Sequence, residues 1–422
     1  MSPLSLVDSS VAYPDRISVS RNHEFLKLWI GQTISEIGSR ITREGLPLTA
    51  VMVLGATPAQ MGMLAATGGG SVLLFSLLAG VIVDRVRRRP VMVATDLGRA
   101  LLLLSVPVLA LRHLLSMTDL IFVAACAGVL TVLFDVAYQS YLPSLVASDE
   151  LLEGNRLLSM SGATAEVLGP SLTGVLVQLI SAPLAILLDA LSFVVSGAAV
   201  WAIRCSEPTP QASARLSFRE EMLGGMQIIL AHPALRALLI RSVLAFLFMG
   251  PVFSFYILYA IRVLRLHPAS LGMAISLGGA GSLAGGVFAG RISRRFAAAP
   301  TFFVSAIVVG CAHFLLPLAS LFPRLALTCL CLQQFIGDFA WTVYFVNEMT
   351  LRQSVAPAHL LGRVNAAMQF ASRGMLPIGA LAGGFLGSSI GIPNTLWIGA
   401  AGVLLSALWL APFVRSRSWA AS

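Results

Sequence analysis

Several ionisable side chains of this 422-residue chain lie inside long apolar stretches: Glu36, Arg40, Arg43 and Glu44, then Asp135, Glu166, Asp189, Asp338 and Arg373. A charge at membrane depth is costly and by default marks a path for ions or substrates. Burial makes a carboxylate hard to ionise and a neighbouring arginine opposes that, so such a pair can take up and release protons. Glu36, Arg40, Arg43 and Glu44 fall within about 100° of one helix face, with Glu36–Arg40 and Arg40–Glu44 at i,i+4 spacing. For the arginines, an aqueous functional stripe and a structural salt-bridge ladder both remain open. Glu36, nearest the middle of its stretch, is read as functional. Covalent chemistry finds no support. The chain has no H-E-x-x-H or P-loop, and of six histidines only His313 lies well inside an apolar stretch.

The elements that carry these groups are membrane-length. The chain is 57% hydrophobic and 11% charged, with a mean hydropathy of +0.86, values that exclude an ordinary soluble protein. Twelve spans are placed, near 25–53, 61–83, 91–111, 118–142, 155–180, 182–204, 235–261, 269–290, 301–322, 324–350, 359–387 and 394–414. The expected class is all-α integral membrane, with an N-terminal six-helix half (25–204) and a C-terminal one (235–414). Tails at 1–24 and 415–422 flank them. The polar linker 205–234 carries Phe218, Met222, Met226 and Ile229 at helical spacing, which predicts an amphipathic helix on the membrane face. Cys126, Cys311, Cys329 and Cys331 lie in apolar spans without metal spacing, so no metal or cofactor is expected.

Of 28 Lys and Arg, only Arg112, Arg262, Arg265 and Arg324 fall in loops on one side, and Arg40, Arg43, Arg99, Arg241 and Arg373 fall within spans. The rest collect on the other side, which the positive-inside rule makes cytoplasmic, together with both termini. The net charge of +9 is thus a matter of topology, with no nucleic-acid partner implied. The chain also repeats itself at an offset of 210. Pro58, Gly62, Met63, Gly68, Gly69 and Gly80 recur as Pro268, Gly272, Met273, Gly278, Gly279 and Gly290, and Asn155, Gly169 and Gly174 recur as Asn365, Gly379 and Gly384. Two halves related by a parallel repeat are expected.

The turn Gly80-Val-Ile-Val-Asp84-Arg85-Val-Arg87-Arg88-Arg89 resembles the loop 2–3 signature of the major facilitator superfamily, with Arg87 where the family usually has glycine. Phe25-Leu-Lys-Leu-Trp-Ile-Gly-Gln, Tyr141-Leu-Pro143-Ser-Leu, Asn155 and Leu361-Gly-Arg363-Val-Asn365 resemble the branch with macrolide efflux proteins and the enterobactin exporter. Gly169-Pro170, followed by Gly174, resembles the fifth-helix motif of the superfamily's exporters. By this resemblance helices one, four, seven and ten line the cavity. Glu36, Asp338, Asp135 and Glu166 become the proton-coupling candidates, with Arg373 a possible partner of Asp338. Arg40, Arg373, Tyr138, Phe253, Tyr256, Trp341 and Tyr344 become substrate-binding candidates, and Gly80, Asp84, Arg85 and Arg88 a conformational latch. Asp96 and Arg99 are read as structural. Prolines 47, 170, 317 and 377 free the carbonyls of Arg43, Glu166, His313 and Arg373, making these plausible polar spots.

The expected protein is a monomeric secondary exporter of a bulky organic solute, a drug or siderophore, working by proton antiport with alternating access. It would be multi-pass in a bacterial cytoplasmic (inner) membrane, its partners being substrate, protons and bilayer. A proton-coupled importer or lipid translocase is the alternative.

Overall fold

The computed structural model describes residues 19, 22–83, 85–147, 149–205, 207, 218–357 and 360–411. Among these there are fifteen α-helices and no strand. They are α1 (His23–Met52), α2 (Pro58–Val83), α3 (Arg88–Leu111), α4 (Met117–Tyr141), α5 (Leu151–Ile180), α6 (Ala182–Trp201), α7 (Phe218–Ala231), α8 (Pro233–Leu258), α9 (Pro268–Phe296), α10 (Ala298–His313), α11 (Leu315–Leu321), α12 (Ala326–Val355), α13 (Leu361–Arg373), α14 (Met375–Ser389) and α15 (Ile392–Ala407). A π turn, Tyr259–Val263, extends α8. Nine helical stretches among the described residues are long and apolar enough to cross a membrane. The charged residues of α1 keep it below that threshold.

Local chemistry sets the boundaries. The Asn22 side chain accepts from the amides of Glu24 and Phe25 and starts α1, and Ser116 with Asp119 forms a capping box at α4. Proline occupies the first turn of α6, α8, α9 and α15, where its missing N–H costs nothing. Two expected spans are broken. α10 gives way to α11 at Phe314, and α13 to α14 at Gly374, one residue past the carbonyls of His313 and Arg373 that Pro317 and Pro377 cannot satisfy. By contrast α1 and α5 run through Pro47 and Pro170.

The linker helix differs from expectation. Ile229 of α7 is fully buried and clusters with Leu235, Val364 and Met368, while Met222 and Met226 pack against the same group. A Cβ on Gly225 would lie 2.3 Å from the Arg363 carbonyl. The apolar stripe therefore meets α8 and α13, and protein covers much of the face that was expected to meet the membrane.

Helices α1 to α6 pack chiefly on one another, as do α8 to α15, and α5–α9 and α2–α14 form the main crossings between the two sets. In both, backbones touch. Added Cβ atoms would stand 2.3 Å from Pro268 O at Gly174, 2.2 Å from Pro170 O at Gly272, and 2.6 Å from Ala380 O at Gly62. Ser171 and Ser276 are hydrogen bonded at 2.7 Å across α5–α9. At the end bearing Pro58 and Pro268, Arg262 donates to the carbonyls of Ala56 (2.7 Å) and Val51 (3.2 Å), stapling the α8 extension to the α1–α2 turn. Gly55, at φ +65°, shapes that turn. Towards the opposite, arginine-bearing end the sets diverge. Gly374 still meets Leu73, but a Cβ on Gly80, Gly162 or Gly362 would meet nothing within 4 Å. Close backbone packing between the two sets is thus concentrated at the Pro58–Pro268 end, and these glycines towards the Arg85–Arg89 end have no such neighbour.

Loss of the Arg262 staple removes two charge-assisted hydrogen bonds from a partly exposed site, an effect of about 1–2 kcal/mol. With cysteine in place of Leu271, which is 1% exposed beneath the Pro58–Pro268 end, Arg262→Ala is expected to raise thiol labelling about tenfold. An unchanged labelling rate would mean that the staple does not hold this end shut.

Candidate functional site

The candidate site starts from α1. Gly31, Gly38 and Gly45, seven residues apart, press against Ala199, Ser192 with Asp189, and Ile186 of α6. At about 100° per residue this glycine row lies roughly opposite Glu36, so close packing on α6 turns Glu36, Arg40 and Arg43 the other way. Gln32 adds a bond to Ser196 at 3.1 Å, and Trp29 one to Ser161 at 3.0 Å.

Arg40 does not join a ladder with Glu36 and Glu44. It forms its ion pair with Glu166 of α5. The approach is possible because residue 169 is glycine: a Cβ there would lie 2.5 Å from the Arg40 Cβ. Gly169, Pro170 and Gly174 thus act together, the first admitting Arg40 and the other two meeting α9. Glu166 also lies within electrostatic range of Asp338, on α12 in the other set of helices. Asp338 is half-buried beside Gly278, where a Cβ would stand 2.2 Å from its carboxylate. Tyr256 of α8 lies within electrostatic range of both Asp338 and Glu44, and Phe253, three residues earlier, is exposed. Glu36 is exposed and lies within electrostatic range of Asp135 and Tyr138 on α4. Arg40, Glu166 and Asp338 are thereby one group at the junction of the two sets, and Glu36, Asp135 and Tyr138 a second.

Other expectations fare differently. The Asp338–Arg373 pair does not form; Arg373 is exposed at the α13–α14 break. Tyr344 offers no surface to a ligand here. It is 1% exposed, stacked on Phe302 at 4.7 Å and lying under the Arg241 guanidinium at 3.7 Å. Trp341 is half-buried, edge-on to Phe246 at 5.7 Å. Of the loop residues, Gly80 faces open space, Arg85 is exposed, and Arg88 gives its backbone amide to Glu207 at 2.7 Å. Asp84 lies outside the described residues. Arg87 adopts φ −65°, ψ 134°, so the side chain in place of the usual glycine strains nothing. Asp96 and Arg99 form a buried pair at 2.5 Å, with Arg99 held over Phe134 and Phe193.

Sequence reasoning passed over Arg262, Glu348 and Arg241. Glu348 and Arg352 are paired at 2.9 Å in the interior. The Arg241 side chain is fully buried with its nitrogens unbonded. A signal existed. Phe134 and Tyr344 are 210 residues apart, and each lies under an arginine, Arg99 in one set and Arg241 in the other. No group of three His, Cys, Asp or Glu able to hold a metal occurs among the described residues.

The family model of the transmembrane secretion effectors matches residues 17–421, nearly the whole chain. The chain belongs to this family of major facilitator superfamily transporters. It is a multi-pass membrane transporter and not an enzyme. It is similar to the uncharacterized MFS-type transporter YfiS of Bacillus subtilis (strain 168), 24% identical over 376 residues and covering 87% of each chain. It is also similar to the multidrug efflux pump Tap of Mycolicibacterium fortuitum, 27% identical over 348 residues, 79% of this chain and 82% of Tap. Among solved structures, the nucleoside transporter NupG aligns with a TM-score of 0.73 at 12% identity, over 93% of this chain and 99% of NupG. A bacterial homologue of the iron transporter ferroportin, in an inward-facing state, aligns at 0.72 and 16% identity, over 93% and 98%. At such identities these structures show the fold alone.

The Arg40–Glu166 pair is asymmetric, the arginine side chain being 13% exposed and the glutamate 49%. Glu166→Gln strands a mostly buried guanidinium and is expected to cost about 1–3 kcal/mol, whereas Arg40→Gln leaves a solvated carboxylate and costs under about 1 kcal/mol. Thermal unfolding in detergent reads the difference; the reverse order would refute this placement of the pair.

Proposed function

We propose that the chain is an exporter of bulky organic solutes driven by proton antiport, built from two six-helix halves that alternate access to a central cleft. The observation that carries this reading is the convergence of Arg40, Glu166 and Asp338 at the junction of the two helix sets, where the Glu166 carbonyl and the Asp338 carboxylate meet the adjacent Gly279 and Gly278 of α9. Export is supported by the likeness to a multidrug efflux pump, together with the aromatic lining from Tyr138, Phe253, Tyr256 and Trp341. Twelve spans follow if α10–α11 and α13–α14 each count as one broken span and α7 as a linker. The contact of Gly68 with Gly128, repeated 210 residues later by Gly278 with Asp338, supports a parallel repeat. By the positive-inside rule the arginine-bearing end is cytoplasmic, and the bacterial relatives support a bacterial cytoplasmic membrane.

In this reading Glu36 and Asp338 carry the coupling. Opening and closing of the cleft change how far each carboxylate is desolvated and how near the arginines stand, so its proton affinity differs between the two faces. A cationic solute then competes with the proton for the same carboxylates. Asp135 and Glu166 are the supporting acids, and Arg40 and Arg373 contacts for an anionic solute. The loop with Gly80, Asp84, Arg85 and Arg88 latches the cytoplasmic end when the other end opens.

The test uses inverted vesicles with an imposed proton gradient and a panel of fluorescent cations and siderophores. Wild type is expected to accumulate a substrate and to lose accumulation when the gradient is collapsed. Glu36→Gln and Asp338→Asn are expected to abolish uphill accumulation while retaining downhill exchange. Gradient-driven uptake by both variants with unaltered pH dependence would sink the assignment, and movement only out of inverted vesicles would make the protein an importer.

A further inference from the structure

A second cleft lies away from the central one, against the outer side of α3 and α6 at the arginine-bearing end. Its volume is about 580 Å³, with Arg87, Arg89 and Glu207 at its mouth and Val93, Leu97 and Trp201 along its wall. Glu207 adds little repulsion to an incoming anion. Its two oxygens accept from the backbone amides of Arg88 and Arg89 at 2.7 and 2.8 Å, so the carboxylate is spent on the positive end of α3. Arg89 donates to the carbonyls of Val200 and Trp201, which anchor its guanidinium without neutralising it. Arg87 is exposed and has no hydrogen-bond or ion-pair partner among the described residues. The mouth is therefore net cationic, with one guanidinium fixed and one free.

Below the mouth the surface changes character along a single line. Leu97, Leu101, Leu104 and Val108 follow one another at i, i+4, i+7 and i+11 on α3, and all four are exposed. The line is about 16 Å long at 1.5 Å per residue, the scale of an acyl chain. Trp201, 70% exposed, stands at its head beside the guanidinia, at the level where tryptophan settles between headgroups and hydrocarbon. A soluble anion would use the arginines and leave the apolar line idle. A zwitterionic lipid would bring an ammonium group that finds no free carboxylate here.

We propose that this cleft is a binding site for an anionic phospholipid, its phosphate between Arg87 and Arg89, its glycerol region against Trp201, and one acyl chain along Leu97–Val108. The proposal does not depend on the direction of transport or on proton coupling. It places a lipid beside the start of α3 and the end of α6, next to the loop at Arg85.

The full-length protein in phosphatidylcholine nanodiscs carrying a minority of phosphatidylglycerol with brominated acyl chains tests it. The fluorescence difference between wild type and Trp201→Phe isolates quenching at Trp201. Brominated phosphatidylglycerol is expected to quench Trp201 about fivefold more effectively than the same fraction of brominated phosphatidylcholine, the preference that roughly one arginine at a membrane surface provides. That preference should fall to near parity in Arg87→Gln, a change that breaks no internal bond, with thermal midpoint unchanged as the check on folding. Unlabelled phosphatidylglycerol should relieve the quenching, and free glycerol phosphate should not. Equal quenching by both lipids, a preference that survives Arg87→Gln, or relief by glycerol phosphate would each overturn the proposal.

Discussion

The whole molecule depends on how closely α5 can approach α9 and α2 can approach α14. In hydrocarbon there is little hydrophobic force to drive helices together, so association rests on van der Waals contact and on satisfied polar groups. Gly62, Gly174 and Gly272 bring backbone to backbone at one end, where even a methyl group would collide with a carbonyl oxygen. Such a contact is strong only when fully made. Both crossings of this kind lie near one end, and Gly80, Gly162 and Gly362 towards the other end have no such neighbours. The Arg262 staple and the Ser171–Ser276 bond add polar specificity to surfaces that would otherwise slide.

The distribution of charge makes sense against that scaffold. Three arginines inside the helical body are accommodated in different ways. Arg40 reaches a carboxylate on the neighbouring helix, Arg99 pairs with Asp96 between two aromatic faces, and Arg241 lies over Tyr344 with its nitrogens otherwise unbonded. Cation–π contact offsets only part of the cost of desolvating a guanidinium. Arg241 is thus the least satisfied charge described in the interior. Arg40 stands apart, because its partner Glu166 is half-exposed to the cleft and in range of Asp338 on the opposite set.

Much of this was legible in the sequence, because membrane helices announce themselves by length and composition, and prolines mark their weak points. The apolar spans and the close-packing glycines at the offset of 210 follow from one-dimensional chemistry, whereas of the four prolines that free a carbonyl beside a polar side chain only Pro317 and Pro377 lie beside a break. Partner choice did not. Arg40 has carboxylates at i−4 and i+4 on its own helix, yet the missing side chain at Gly169 opens a shorter route to Glu166. Tyr344 has the composition of a cavity residue but lies beneath Phe302 and Arg241, and Arg373 sits at a helix break far from the role of pairing Asp338. The apolar stripe of α7 looked like a membrane face because its docking surface on α13 is contributed by residues more than a hundred positions away. A glycine row every seven residues on α1 was the readable clue to which side of that helix faces the cleft.

In the proposed mechanism the two ends open reciprocally about the α5–α9 and α2–α14 crossings, with protonation and solute setting the balance. Paired spin labels measure this directly in nanodiscs, one pair at Arg85 and Gly362 across the arginine-bearing end, the other at Thr57 and Ser389 across the Pro58–Pro268 end. On changing pH or adding a transported solute, the first distance distribution is expected to shift shorter while the second shifts longer, and Glu36→Gln with Asp338→Asn is expected to uncouple the shift from pH. Distances at both ends that stay fixed, or that lengthen together, would contradict it.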